Sequence, residues 1–357
     1  MAYTDIDKPS DYFNTVTWTG DNTDRTISGV GFQPDWIWWK QRNGTDDHRL
    51  IDSVRGEGTT SYKILFSDTA DAETDGNDNG GSQGNINAIT SDGFSGVQGT
   101  VGWNNWNGTG LNYVGWNWLA ANTTASNTDG SIASTVSANT TAGFSIVSYT
   151  GTGANATVGH GLGSAPKMII LKNRDSAENW IVGNTSLDWT KYLALNLTDA
   201  TTTASNIWQN TAPTSSVFSI GDSGKVNGSG NGMVAYCFAE KKGFSKFGKY
   251  TGNGSTDGAF VYTGFKPAYV MTKRTDSIAS WVVWDNKRDI DNGVYNALQL
   301  NDSAAEITAS YYLDFLSNGF KWRVASGATN ASGGTYIFMA FAENPFTTST
   351  GIPTTAR

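Results

Sequence analysis

Short runs of apolar, aromatic and β-branched residues alternate with clusters of Gly, Asn, Ser, Thr and Asp along most of the chain. Typical runs are Lys-Met-Ile-Ile-Leu at 167–171 and Ala-Tyr-Val-Met at 268–271. Such runs, bounded by turn residues, predict β-strands, and the long 3.6-residue period of amphipathic helices is largely absent. Many short strands with turn signals at intervals of roughly 8 to 12 residues indicate β-sandwiches.

One pattern of apolar and turn residues occurs three times. Each copy has a Thr-Gly pair whose threonine precedes a proline by 15 or 16 residues, and a lysine follows the proline by six. Copy by copy, these residues are Thr19, Pro34 and Lys40, then Thr150, Pro166 and Lys172, then Thr251, Pro267 and Lys273. Each copy ends in an apolar run, at 114–120, 234–240 and 337–343. The agreement in spacing predicts three copies of one structural unit.

The repeats divide the chain into ranges. These are an N-terminal attachment arm (1–12), repeat 1 (13–120) with a Gly- and Asp-rich insertion (68–100), a Ser-, Thr- and Asn-rich linker (121–142), repeat 2 (143–240), repeat 3 (243–346) and a C-terminal tail (347–357). The predicted fold class is all-β, with three tandem antiparallel β-sandwich modules of the jelly-roll or concanavalin-like type. Because the arm and the tail lie outside the repeats, we expect one of them to provide attachment.

Composition excludes several classes of function. The formal net charge is -8 and the basic residues are scattered, so no nucleic-acid partner is expected. A single cysteine, Cys237, rules out an intramolecular disulfide framework and a cysteine-based zinc site. No run approaches the roughly 18 apolar residues of a transmembrane helix, and the first residues lack the apolar region of a signal peptide. We therefore expect neither membrane insertion nor export directed by a signal peptide.

Histidines are few and each has a structural interpretation. His48 stands fourteen residues past its proline, where the other copies have Trp180 and Trp281. We therefore expect a ring that fills the same packing position in each copy. His160 is absent from the other copies and is interpreted as a local hydrogen-bonding group. The Gly-Asp-Ser-Gly segment at 221–224 imitates a protease nucleophile motif but falls at a predicted hairpin turn, so no catalytic residues are expected.

Aromatic residues carry the strongest binding signal. Trp38 and Trp39 are consecutive, so in a strand they point to opposite faces. Trp103, Asn104 and Trp106 form a loop-like cluster of aromatic and amide groups suited to sugar hydroxyls. These five residues are candidate contacts to a glycan or a partner protein. Contact between copies or subunits is the favoured alternative, because interfaces are rich in aromatic residues.

One acidic loop has the spacing of a metal site. Asp71, Glu73 and Asp75 place oxygen ligands at alternate positions before a glycine, like the start of a calcium loop. The acid expected at the twelfth position is instead Ser82. The alternative, a solvated loop without metal, is favoured because acidic Gly- and Asn-rich loops are commonly solvated. No other cofactor is expected.

Several segments resemble repeat-containing virion proteins of marine tailed bacteriophages, which are usually labelled tail or tail-fibre proteins. The resemblance lies in Tyr-Phe-Asn-Thr-Val at 12–16, Gly-Phe-Gln-Pro-Asp-Trp at 31–36, 144–153, 159–163 and the ending at 340–357. It extends over nearly the whole chain. Modules of that family are similar to concanavalin A-like lectin sandwiches.

This resemblance implies a non-enzymatic virion structural protein, made in the host cytoplasm, that forms a tail fibre or surface appendage and takes part in host adsorption. The implied partners are other virion proteins, a host cell-surface glycan and further copies of the chain, as a trimer by analogy with phage fibres. Two alternatives are a lectin-like glycan-binding module and a capsid decoration protein. Fold analogy alone does not choose among these functions.

Overall fold

A computed structural model describes residues 3–58, 61–75, 84–99 and 106–354. Within these ranges the paired strands are antiparallel, and helix is limited to the one-turn α1 (Ser205–Trp208), α2 (Gly224–Asn227) and short 3-10 turns. The predicted all-β fold class of antiparallel sandwiches is confirmed. No helix in the described part of the chain is long and apolar enough to span a membrane.

The strands fall into three groups along the chain. Module 1 contains β1 (Phe13–Thr19), β2 (Arg25–Ser28), β3 (Trp36–Gln41), β4 (Arg49–Asp52), β5 (Leu65–Phe66), β6 (Gly84–Thr90), β7 (Gly93–Gln98) and β8 (Asn112–Trp118). It is followed by β9 (Ala125–Asn127) and β10 (Ser134–Asn139). Module 2 contains β11 (Phe144–Thr150), β12 (Ala156–Gly159), β13 (Met168–Asn173), β14 (Ile181–Asn184), β15 (Lys191–Ala194), β16 (Thr202–Thr203), β17 (Val217–Ile220) and β18 (Gly232–Phe238). Module 3 contains β19 (Ser245–Thr251), β20 (Phe260–Tyr262), β21 (Phe265–Arg274), β22 (Val282–Asp285), β23 (Val294–Gln299), β24 (Ile307–Leu316), β25 (Gly319–Trp322) and β26 (Thr335–Pro345).

Each module is a sandwich of two sheet layers with the same strand order. The larger layers have the orders β1–β8–β3–β4–β5, β11–β18–β13–β14–β15 and β19–β26–β21–β22–β23. In each, the closing strand of the module lies between its first and third strands. The smaller layers contain the pairs β2–β7, β12–β17 and β20–β25. The repeated spacing in the sequence corresponds to this repeated topology.

The glycine of each Thr-Gly pair lies where two backbone segments nearly touch. A Cβ atom added at Gly20, Gly151 or Gly252 would lie only 2.1 to 2.3 Å from a backbone carbonyl oxygen. The oxygens belong to Gly108, Gly228 and Ala331, respectively. Glycine at these positions therefore permits the close backbone approach that shapes this end of each module.

The segment 121–142, predicted to be a linker, contains β9 and β10. Strand β10 pairs with both β9 and β11, so this segment extends the larger layer of module 2. Its polar composition suits the edge of a sheet, where side chains and backbone groups meet solvent.

The N-terminal arm and the C-terminal tail contact each other beside module 3. Ile6 is buried in the core, and the Tyr3 hydroxyl donates to the carbonyl oxygen of Gly264 at 2.5 Å. The amide and the hydroxyl of Ser349 each donate to the Asp7 carboxylate at 2.6 Å. The described parts of both segments are therefore packed onto the modules.

The three larger layers are buried on both faces. One face of each packs on the smaller layer of its own module and forms a separate inner core. The other faces meet in one central core to which all three modules contribute. There the ring of Phe13 stacks on Phe341 with centroids 4.8 Å apart, and Trp36 stacks on Tyr236 at 4.3 Å. Burial on two faces explains the continuous apolar run of β3.

Equivalent hydrogen bonds join the modules head to tail. The indoles of Trp180 and Trp281 each donate to a backbone carbonyl in another module, and the His48 ring bonds to a third. The acceptors are Phe66, Ala194 and Gln299, at 2.7, 2.8 and 3.0 Å, respectively. Module 2 thus binds module 1, module 3 binds module 2, and module 1 binds module 3. Head-to-tail contacts that return to their start form a closed ring, here with pseudo-threefold symmetry.

Backbone bonds follow the same cycle. The amides of Glu73, Thr201 and Glu306 donate to the carbonyl oxygens of Arg174, Thr275 and Arg42, at 2.7, 3.0 and 2.7 Å, respectively. Each bond joins the segment after the fifth strand of one larger layer to the segment after the third strand of the neighbouring one. The symmetry therefore extends to main-chain groups, which are independent of side-chain identity.

Candidate functional site

The tryptophans predicted as candidate glycan contacts are buried. Trp38 is 0% exposed in the central core, and Trp39 is 1% exposed in the inner core of module 1, so the two do point to opposite faces. Trp106 is also 0% exposed, and its indole donates to the carbonyl oxygen of Val97 at 2.7 Å. The prediction that these three residues form a surface contact is wrong. Trp38 belongs to the central core to which all three modules contribute.

Trp103 and Asn104 lie outside the described residues. Their role as candidate contacts therefore stays a prediction from the sequence. A strand that is apolar on both faces is compatible with either an exposed face or a second core, and this ambiguity explains the wrong prediction for Trp38 and Trp39.

Glu73 of the calcium candidate is engaged in ion pairs. Its carboxylate binds the buried guanidinium of Arg55 at 2.9 Å and that of Arg174 in module 2 at 2.6 and 2.9 Å. Burial raises the pKa of Glu73, but the hydrogen bond from Arg174 and the charge of Arg55 outweigh it and hold the pKa below its usual value. Among the described residues, no three acidic, histidine or cysteine side chains are grouped to hold a metal, so Asp71, Glu73 and Asp75 do not form the predicted site.

The same ion network recurs at a second interface. In module 3, Arg288 and Glu306 take the places of Arg55 and Glu73, and Arg288 also pairs with Asp285. Module 1 supplies Arg42 in the place of Arg174. In module 2, the positions of Asp285 and Arg288 are taken by Asn184 and Leu187. These acids and bases therefore hold the modules together.

Both histidines are buried and hydrogen-bonded to backbone carbonyl groups. Nδ1 of His48 accepts from the indole of Trp38 at 3.2 Å, so the hydrogen lies on Nε2, which faces the carbonyl oxygen of Gln299. Burial lowers the pKa of His48 well below its usual value. The expectation of a ring in the shared packing position is confirmed. The His160 ring bonds to the carbonyl oxygen of Thr214, and the Ser223 hydroxyl accepts from the amide of Lys225 at the start of α2, so each side chain takes part in a local hydrogen bond.

An exposed aromatic face covers the smaller layer of module 3 and the first residues of the adjoining strand β23. We define it by Phe260, Tyr262 and Tyr295, which are 46%, 56% and 43% exposed, and by the half-buried Tyr312. Strands β23, β24, β25 and β20 lie side by side in that order, with Tyr295 on β23, Tyr312 on β24, and Phe260 and Tyr262 on β20. The strand neighbours Val261, Val294 and Leu313 point inward and are buried. The face is therefore the solvent side of a layer whose other side is core.

The rings are held in place by local packing. The rings of Tyr295 and Tyr312 stack with centroids 5.1 Å apart. Gly319 of β25 lies opposite Tyr262 of β20. A Cβ atom on Gly319 would lie 3.0 Å from the Phe260 ring. The glycine therefore leaves space in which the Phe260 ring lies across the neighbouring strand.

The equivalent described strands of the other modules carry small outward residues. Pairing of β2–β7, β12–β17 and β20–β25 aligns Ile27, Val158 and Val261 as the inward residues. The outward neighbours are Thr26 and Ser28 in module 1, Thr157 and Gly159 in module 2, and Phe260 and Tyr262 in module 3. Sequence reasoning missed the face because Phe-Val-Tyr resembles any buried strand. Alignment of this strand across the copies is the signal that identifies it.

A second surface feature is polar. A depression of about 320 Å³ in module 2 is lined by Asn155, Ser205, Asn206, Gln209 and Asp222. It contains amide, hydroxyl and carboxylate groups without an aromatic ring. The aromatic face is the stronger candidate because aromatic side chains dominate the energetics of contact surfaces, and a tyrosine adds a hydroxyl group that can bond to a ligand.

Comparison with known proteins gives one family. No curated protein matches the chain. The profile of a family described as a domain of unknown function, DUF7483, matches residues 8–345 and so spans all three modules. The chain belongs to the DUF7483 family.

Proposed function

We propose that this chain is a non-enzymatic structural protein of a bacteriophage virion, a tail-fibre or surface-appendage component that takes part in host adsorption. The observation that carries the proposal is the aromatic face, which is present on one module and replaced by small residues on the equivalent strands of the other two. A face that packing does not require, on a body whose modules are otherwise alike, indicates a contact surface.

Two further observations support this role. The segments at 12–16 and 31–36, which carry much of the resemblance to phage tail proteins, lie in and between the first strands of module 1. The Glu73–Arg174 ion pair joins module 1 to module 2, and the Glu306–Arg42 ion pair joins module 3 to module 1. A rigid body that displays one contact surface suits an appendage that touches a host.

Immunogold electron microscopy of purified phage particles tests the location. Antibodies raised against the purified chain should label the tail or its fibres, and preincubation of the antibodies with the chain should abolish labelling. Labelling restricted to the capsid would overturn the tail-fibre proposal in favour of a decoration protein. Particles without label would overturn the virion assignment itself.

Adsorption competition tests the role in host contact. Purified chain added to susceptible cells before the phage should slow phage adsorption in a dose-dependent manner. Bovine serum albumin at the same concentration serves as the control. An unchanged adsorption rate at saturating chain would contradict a direct host contact.

A further inference from the structure

The charged side chains around the aromatic face are paired with one another. Lys321 contacts Asp257 at 2.6 Å, and the Arg323 guanidinium contacts Asp314 at 2.6 Å. Lys321 and Asp314 stand directly opposite each other on β25 and β24, in the same rank as Phe260. The two cations are thus matched by two carboxylates, and the Asp289 carboxylate, which accepts from the backbone amides of Tyr295 and Asn296, adds a negative charge beside Tyr295. Neither Lys321 nor Arg323 is therefore left unpaired for an anionic ligand.

Charge pairing selects the class of ligand. A polyanion such as nucleic acid or a phosphorylated or sulfated polysaccharide requires cations that are not already neutralised. An uncharged ligand with hydroxyl groups can instead accept from Lys321 and Arg323 and donate to Asp257 and Asp314 without displacing a counter-charge. The apolar C–H surface of a sugar ring packs on an aromatic ring, as apolar groups generally do.

The size of the face also selects the ligand. Four adjacent strands span roughly 15 Å, and the rings occupy three successive outward positions along the strands, which span about 14 Å. The area is therefore on the order of 200 Å², far below the roughly 800 Å² that each partner buries in a standard protein interface. A second copy of the chain or a folded partner protein would need much more surface than the face provides.

We infer that the aromatic face, with Phe260 and Tyr262 as its central rings, binds an uncharged oligosaccharide. This inference rests on the proposed role in host contact and names the class of ligand recognised. Phe260 and Tyr262 project from the same side of β20, and Tyr295 and Tyr312 extend the row of rings toward β23. The paired charges lie between these rings and supply the hydrogen-bonding groups.

The test uses the full chain on a glycan microarray that carries both neutral and anionic glycans. The test variant is the double substitution Phe260→Thr with Tyr262→Ser, which installs the residues found at the same positions of module 1. Ile278→Thr is the matched control, because Ile278 is 72% exposed in the loop before β22, away from the smaller layer. Circular dichroism melting of each variant checks that folding is unchanged.

We expect the unmodified chain and the Ile278→Thr control to bind neutral glycans, and the double variant to lose at least about tenfold in apparent affinity. Binding confined to anionic glycans, equal binding by the double variant, or no glycan binding would each overturn the inference. Sedimentation velocity adds a further arm. Concentration-dependent self-association of the 38.2 kDa chain that the double variant abolishes would assign the face to a second copy instead and overturn the inference.

The two proposals fail independently. Particles that carry the chain on the tail while the chain binds no glycan would remove the glycan inference alone. A chain that binds neutral glycans but is absent from particles would remove the virion proposal alone.

Discussion

Single residues are most informative where one copy differs from the other two. In modules 2 and 3 a semi-buried or buried asparagine donates its side-chain amide to a polar neighbour, Asn196 to Asn179 at 2.8 Å and Asn301 to Ser280 at 3.4 Å. In module 1 the equivalent residue is Asp68, which accepts from the amide of His48 at 3.0 Å and faces Asp47. Two carboxyl groups can share a hydrogen bond only while one keeps its proton. Burial and then the charge of Asp47 raise the pKa of Asp68 to about 8.

Asp68→Asn should therefore flatten the pH dependence of stability. Because the folded pKa of Asp68 lies above its unfolded value, its contribution is complete below about pH 4 and is lost as the pH rises toward 8. Relative to the variant, the unmodified chain should lose on the order of 2 kcal/mol of unfolding free energy between pH 5 and pH 7.5. Urea unfolding followed by tryptophan fluorescence measures this.

Other charged groups face the same carboxyl pair and set the pH limit of that experiment. Lys40, Asp46 and Arg49 surround it, and module 3 contributes the uncharged carbonyl groups of Gln299 and Ser303. Burial lowers the pKa of Lys40 to about 8, so measurements stop at pH 7.5. Parallel slopes for the variant and the unmodified chain would contradict the shared proton.

Gly151→Ala tests the close backbone approach at the Thr-Gly pair. The new methyl group would lie 2.3 Å from the carbonyl oxygen of Gly228, so the backbone must shift, and we expect a loss of roughly 1 to 3 kcal/mol. Gly224→Ala is the control. Its nearest neighbour is 3.7 Å away and it lies in α2, where alanine is favoured, so its stability should be unchanged or higher. Equal melting temperatures for the two variants would refute the steric argument.

The same residues show how far the sequence could be interpreted. The spacing of proline, glycine and lysine predicted three copies because turn geometry depends on local residues. The strand order, which is the same in the three modules, agrees with that prediction. The central core depends on packing between distant modules, so nothing local to Trp38 distinguishes it from a surface ring. Phe260 and Tyr262 were missed for the converse reason, since only their register against Thr26 and Ser28 identifies them as exposed.

Among elements, the closing strands adapt to the module that they face. The Tyr236 hydroxyl on β18 donates to Asp52 of module 1 at 2.7 Å, and the Trp116 indole on β8 donates to Asp285 of module 3 at 3.0 Å. The corresponding residue on β26 is Met339, which belongs to the central core. Module 2 has no aspartate at the equivalent position, and the residue of module 3 that faces it, Met339, is apolar. A donor is present where the neighbouring strand ends in a buried acceptor.

Glu73→Gln should weaken the interface between modules 1 and 2. The substitution leaves the buried Arg55 with one fewer anionic partner, and we expect a loss of roughly 2 to 4 kcal/mol in unfolding free energy at pH 7. Because the folded pKa of Glu73 lies below its unfolded value, its stabilisation is present at neutral pH and is lost as the pH falls through the folded value. The variant should therefore lose less stability than the unmodified chain on acidification.

Glu343→Gln is the control for that prediction. Glu343 pairs with Lys266 at 2.8 Å, but both side chains are about one-third exposed, and exposed pairs contribute little. Chemical denaturation of both variants at pH 7 and pH 4 gives the comparison. An equally small effect of both substitutions would contradict a stabilising role for the network.

At the scale of the whole molecule, the closed ring makes the three sandwiches one folding unit. Each larger layer contributes one face to the central core, so a module alone would expose that face to water. The family match over 8–345 covers the three modules together. The ring therefore behaves as one domain even though its sequence contains three copies.

Residues 243–346 expressed alone should consequently fail to form a stable fold, whereas the full chain should unfold in one cooperative transition. Calorimetry of the full chain and near-ultraviolet circular dichroism of the fragment measure the two outcomes. Three separate transitions, or a fragment with native-like aromatic signals, would show that the modules are independent.

The contact between Asp7 and Ser349 has a topological consequence. A ring has no first module, and here the junction between modules 3 and 1 is closed by an arm and a tail that meet without a covalent bond. Linking the two ends by a short peptide and opening the chain at another junction would leave the strand pairs, the central core and the head-to-tail bonds in place. The order of modules along this chain is thus one of three circular permutations that are compatible with the same folded ring.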